Sequence, residues 1–276
     1  MATRSGRHRV GSPGRYARVL GNLDRQIAAT TRYRLRRAHA RIDHGLLPAL
    51  AEFDAIRGLS GIGAHLLRRE SHTDLTRAVL SYLVRLTEPI VHGGQPLPGW
   101  WTDLDPAGRS SPRFPGGHAN HCMAHGIAGP LALMSLALRR GVAVDGQTEA
   151  IGRTCRWLDR WRQRGEAGPW WPYWVTHADL RADRQLDPAG PARPSWCYGT
   201  VGIARAQQLA AVATGDAARR RAAEAAMTGA LTDPRQLSAT TDLCHWHVHA
   251  QVDEIGRRPP VDPRPRPTSP DRPHTT

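Results

Sequence analysis

Three glycine pairs constrain this chain more than any other feature: Gly58-Leu59-Ser60-Gly61, Gly126-Ile127-Ala128-Gly129 and Gly199-Thr200-Val201-Gly202, each leading into residues of helical spacing. Likeness at so long and loose a period predicts repeated helical units rather than one irregular fold. The glycines permit a tight turn and close backbone approach, while the residue just upstream points out of the turn. Those upstream residues are Asp54, His125 and Cys197. Units of one kind would bring the three side chains toward a common centre.

The segments between the pairs have the periodicity such units need. Residues 22–40 place Ile27, Tyr33, Leu35 and Ala38 among polar neighbours and predict an amphipathic helix stopped at Gly45. A short apolar piece, 46–53, leads to Asp54, and helices are expected over 61–69 and 74–86, the latter with Leu75, Val79, Leu83 and Leu86 on one stripe. Residues 127–140 are apolar nearly all round and predict a buried helix capped by Gly141, whereas 150–164 is amphipathic. Helices over 203–213 and 216–231 complete the series. Residues 87–121 and 165–194, rich in Pro, Gly and Trp, read as long loops, and no strand-like alternation appears. Alternation of buried with amphipathic helices predicts an all-α fold of two concentric layers.

Composition narrows the chemistry. A chain of 276 residues with 40% hydrophobic residues can build a sizeable core. Its 38 basic residues, every one an arginine, outnumber 24 acidic ones to give a net charge of +14. Arginine crowds both ends without a stacking-aromatic pattern or a nucleic-acid module, so nucleic-acid binding is not expected; a basic exterior suits an acidic peptide or, peripherally, an anionic membrane surface. No apolar run approaches the ~20 residues that span a bilayer. The Arg-rich N-terminus is no signal peptide, which implies a cytoplasmic, reduced chain. In that setting Cys122, Cys155, Cys197 and Cys244 are metal or catalytic candidates rather than a disulfide framework.

Cys197 sits just before a helix start, where the dipole favours a thiolate. With the adjacent pair Cys244-His245 it makes a Cys2His set drawn from two loops, leaving one position of a tetrahedral zinc site for a substrate. A lone cysteine more often serves as a small buried hydrophobe, but a Cys-His pair joined to a helix-start Cys favours the metal. His247 and His249 are competing ligands ranked below His245, and Cys122 and Cys155 are read as structural. His125 is either a histidine satisfied within its turn or an acid/base group titrating near neutrality. Asp54 is either a turn or cap residue or its companion.

Taken together, Ala124-His125-Gly126-Ile127-Ala128-Gly129-Pro130, Ser195-Trp196-Cys197-Tyr198-Gly199 and Leu243-Cys244-His245 resemble the lanthionine synthetase C family, the cyclases of lanthipeptide biosynthesis, and residues 53–61 resemble its upstream Asp-containing motif. The resemblance covers roughly residues 22–245. It implies an α/α toroid with inner and outer helix layers and a central zinc ligated by Cys197, Cys244 and His245, with His125 and Asp54 as the acid/base residues. The implied reaction adds cysteine thiols to dehydroalanine or dehydrobutyrine of a dehydrated precursor peptide, with a lanthipeptide dehydratase as partner. Zinc would make the substrate thiolate at neutral pH, and His125 would protonate the α-carbon. Asp54 would orient or recharge His125, or assist thiol deprotonation.

The family continues past its Cys-His pair with a glycine and a buried helix, whereas Trp246-His247-Val248-His249 follows here, and its helices upstream of Asn22 have no counterpart. The expected organisation is a basic, poorly ordered N-terminus over 1–21, an incomplete toroid over 22–250 and a disordered Pro/Arg-rich tail over 251–276. An alternative function follows from an open ring: a truncated relative, weak or inactive in catalysis, that only binds a peptide or a dehydratase.

Overall fold

Apolar faces at helical spacing must be buried against one another, and seven substantial helices arrange themselves in two layers to do it. The structure is a computed structural model and describes residues 16–69, 72–185, 190–191 and 194–238. Its described residues all fall within one unit, Met1–Cys244; the second unit, His245–Thr276, lies outside them.

The inner layer consists of α3 (Leu59–Leu66), α5 (Ala128–Arg139) and α8 (Thr200–Thr214), with α3 packed on α5 and α5 on α8. Each starts at one of the glycine pairs. Alanine and glycine make close approach possible here: a Cβ on Gly63 of α3 would fall 2.5 Å from the Leu133 side chain of α5. The outer layer consists of α1 (Ala17–Asp43), α4 (Thr73–Leu86), α6 (Gln147–Arg160) and α9 (Ala217–Thr232). Each packs on an inner neighbour, α1 and α4 on α3, α6 on α5, α9 on α8. Buried and amphipathic helices thus alternate along the chain, and among the described residues the layers form no closed barrel.

Short elements fill the connections. They are α2 (Leu50–Phe53), α7 (His177–Ala182) and α10 (Pro234–Ser238), with three antiparallel two-stranded ladders: β1 (Ile90–His92) with β2 (Gln95–Leu97), β3 (His118–Asn120) with β6 (Trp174–Thr176), and β4 (Gln163–Gly165) with β5 (Gly168–Trp170). The segments 87–121 and 165–194, expected as loops, therefore contain strands. Three residues are too few to show a period of two, and Pro96 and Pro169 obscure β2 and β5 further. One signal was readable: Gly93-Gly94, both with positive φ (58° and 76°), make the two-residue turn that a tight hairpin requires.

Helix limits differ by a few residues from the periodic reading. α1 begins at Ala17, upstream of residue 22, and its first turns leave Val19, Leu20 and Leu23 about half exposed, which is why no stripe is legible there. Gly45, with φ 65°, follows the helix as expected. α6 starts at Gln147, after Gly146 in the left-handed region, and α8 already starts at Thr200.

Candidate functional site

Three loops carrying the residues singled out above run side by side at the N-terminal ends of the inner helices. The first is the turn between α2 and α3. Asp54 caps α2, and its Oδ1 accepts hydrogen bonds from the backbone N–H groups of Ile56 (3.0 Å), Arg57 (2.6 Å) and Gly58 (2.7 Å). Gly58 has to be glycine for this turn, since a Cβ there would lie 2.2 Å from the Asp54 nitrogen. One carboxylate oxygen thereby builds the loop, and the other remains for a partner.

That partner is on the second loop. His125 Nδ1 lies 2.6 Å from Asp54 Oδ2, with Asp54 fully buried and His125 4% exposed. A carboxylate accepts, so Nδ1 carries the proton. This loop leaves strand β3 through Asn120, whose side-chain Oδ1 accepts from Cys122 N (2.9 Å) and whose carbonyl accepts from Ile127 N (2.9 Å). The β3–β6 ladder anchors the loop at its start.

The third loop holds Cys197, two residues before Gly199, which starts α8. Ala124 joins all three loops through its backbone: Ala55 N donates to Ala124 O (3.0 Å), and Ala124 N donates to Cys197 O (3.2 Å). Asp54, His125 and Cys197 are thus held on adjacent strands of one small backbone lattice. Cys197 is 7% exposed, and its sulfur lies 2.9 Å from Ser195 Oγ. Beside it pack Cys122, Ala124 and Tyr198, with Tyr173 and Trp174 at the margin. The Tyr198 ring is tilted against His125 at 5.9 Å, and burial holds its phenol well above the usual tyrosine range, so it stays protonated.

Of the five residues expected at the site, the structure brings Asp54 and His125 into contact and sets Cys197 on the neighbouring loop. Cys244 and His245 lie outside the described residues, as do His247 and His249. A buried, unoxidised thiol at a helix N-terminus with a hydroxyl beside it is the donor type a soft divalent ion such as zinc requires. Among the described residues no group of three His, Cys, Asp or Glu side chains is spaced to hold a metal. Cys155 is elsewhere, on α6, where burial pushes its thiol up to about 11.

Sequence reasoning missed Ser195, Tyr198 and the bridging role of Ala124, and it set Cys122 apart from the site. A hydroxyl two residues from a candidate ligand was a usable signal; a backbone bridge has no side-chain signature.

The layered helical fold, with a buried Asp-His pair and a thiol on the neighbouring loop at the inner-helix N-termini, is of the helical toroid class, without a closed barrel among the described residues. The family model of lanthionine synthetase C-like proteins matches residues 14–245, and the chain belongs to that family. Nisin biosynthesis protein NisC of Lactococcus lactis subsp. lactis is 25% identical over 154 residues, which cover 55% of this chain and 36% of that protein. The structure of nisin cyclase is similar with a TM-score of 0.65 at 22% identity, over 77% of this chain and 52% of that one. The chain therefore matches between about a third and about half of the length of these relatives.

Proposed function

We propose that this protein closes thioether rings in a dehydrated precursor peptide, adding a cysteine thiol of the peptide to the β-carbon of a dehydroalanine or dehydrobutyrine in the same chain. The observation that carries the reading is the Asp54-His125 contact held beside Cys197 by the Ala124 backbone. Family membership and the likeness to nisin cyclase support it.

The addition must lose a proton from sulfur and gain one at the α-carbon. His125 is the group that delivers the second proton, through Nε2, because its Nδ1 is committed to Asp54. Asp54 positions the ring; with Oδ1 occupied by three backbone donors, it acts on His125 rather than on the substrate. The low exposure of both limits the water that competes for the proton. Cys197, Cys244 and His245 would hold zinc, which when bound supplies the positive charge that keeps a substrate thiol deprotonated at neutral pH. The peptide has to be dehydrated before it reaches this site, so a dehydratase is the partner expected upstream, in a reducing compartment.

The test is the metal content of the purified chain together with loss of alkylatable thiol from a dehydrated peptide. About one zinc per chain, lost in Cys197→Ala, and ring closure abolished in His125→Asn are the expected results. Tight peptide binding with neither zinc nor ring closure would replace this reading with that of a docking protein.

A further inference from the structure

The sulfur of Cys197 has one hydrogen-bond partner among the described residues, the hydroxyl of Ser195 at 2.9 Å. Ser195 Oγ also receives the Tyr198 backbone N–H at 3.4 Å. Either atom of a hydroxyl-thiol pair could donate, but a zinc-bound thiolate carries no proton and can only accept, and with the N–H on one lone pair the hydroxyl proton is free to point at the sulfur. Ser195 is 1% exposed, so water does not compete for either bond.

The backbone holds this arrangement from both sides. Cys197 O is tied to Ala124 N, and the Trp196 carbonyl is pressed onto the first turn of α8, where a Cβ on Gly202 would fall 2.1 Å from its oxygen. The loop cannot swing Ser195 away without leaving α8.

We infer that Ser195 is a positioning residue for Cys197: its hydroxyl donates to the sulfur, holds the side chain in one rotamer and withdraws charge from it. The inference rests on the reading of Cys197 as a zinc ligand. Partners of this kind orient a ligand and tune how strongly it donates. Ser195 thus lowers the cost of ordering the thiolate and leaves more positive charge for whatever sulfur enters the open position.

Cobalt(II) titration of the full chain tests this, with Cys197→Ala, Ser195→Ala and Ser195→Thr as variants and far-UV circular dichroism confirming that each is folded. The wild type is expected to bind about one Co2+ with a thiolate-to-metal charge-transfer band that Cys197→Ala abolishes. Ser195→Ala should weaken binding about 10- to 100-fold and move the band to longer wavelength, because a thiolate without its donor is more easily oxidised. Ser195→Thr, which keeps the hydroxyl, should restore both. A folded Ser195→Ala chain with wild-type affinity and an unmoved band overturns the inference while leaving the zinc reading intact, as does a folded Ser195→Thr chain that behaves like Ser195→Ala. A wild-type chain that binds no Co2+ ends the zinc reading and the inference together.

Discussion

Asp54 does two jobs with two oxygens, and the jobs can be separated. Oδ1 satisfies three backbone donors, of which that of Gly58 is buried, and Oδ2 meets His125. Asp54→Asn keeps a carbonyl oxygen for the turn but replaces the carboxylate that faces His125 Nδ1. Asp54→Ala leaves the buried Gly58 N–H without an acceptor, at ~1–3 kcal/mol, and the more accessible N–H groups of Ile56 and Arg57 to water. Urea denaturation should therefore show Asp54→Ala destabilised by about 1–3 kcal/mol and Asn by clearly less, while both variants lose most ring-closing activity. Equal stability loss in the two would mean that the turn depends on the charge rather than on the acceptor. Neither bland nor functional reading of Asp54 excludes the other, because one side chain serves both.

Among the elements, the start of α8 is closely constrained by its neighbour. Gly202 lies where the Trp196 carbonyl crosses the helix, and the obstruction to a larger residue is backbone, which no rotamer change relieves. Gly202→Ala is expected to cost about 1–3 kcal/mol by overpacking. Gly45→Ala, at φ 65° with open space around it, should cost only about 1 kcal/mol from backbone conformation. Thermal or urea unfolding of the two variants compares them directly, and a Gly202→Ala chain no less stable than Gly45→Ala would contradict the close approach. The equivalent approaches of a Cβ on Gly61 to the Ala55 carbonyl (2.3 Å) and of one on Gly129 to the Met123 carbonyl (2.9 Å) explain why the glycine pairs recur: the second glycine of each admits a loop carbonyl onto the first turn of an inner helix.

For the whole molecule, burial of two histidines near the β3–β6 ladder predicts sensitivity to acid. Burial depresses His121 to about 4; Trp157 Nε1 donates to its Nε2 at 2.8 Å, which requires the neutral ring. Burial likewise depresses His118 to about 3, stacked on Phe114 at 4.1 Å. Unfolded, both regain a value near 6.5, so between that value and the folded ones the unfolded chain binds more protons. Stability is thus fully present above about pH 6.5 and falls as the pH drops toward 4, by up to ~1.4 kcal/mol per pH unit for each histidine. Urea midpoints should be flat on the alkaline side and decline below neutrality, and His118→Leu should make that decline shallower. An acid limb unchanged by the substitution would show that His118 is not among the groups responsible. At the same scale, Arg219 of α9 joins two helices of the outer layer through a two-pronged pair with Asp159 of α6 at 2.9 and 2.6 Å.

The longer helices of the described residues, their alternation between buried and amphipathic, and the glycine pairs that start the inner ones were legible in the sequence, because helical period and glycine placement are local properties. Asp54, His125 and Cys197 were legible as candidates because each stands a few residues upstream of a glycine pair. The short ladders were not, since three residues carry too little period and their partners lie far along the chain. Nor were the Asp54-His125 contact or the joining of three loops through Ala124. Those depend on distances between segments some seventy residues apart, and only the packing of α3 on α5 and of α5 on α8 decides them.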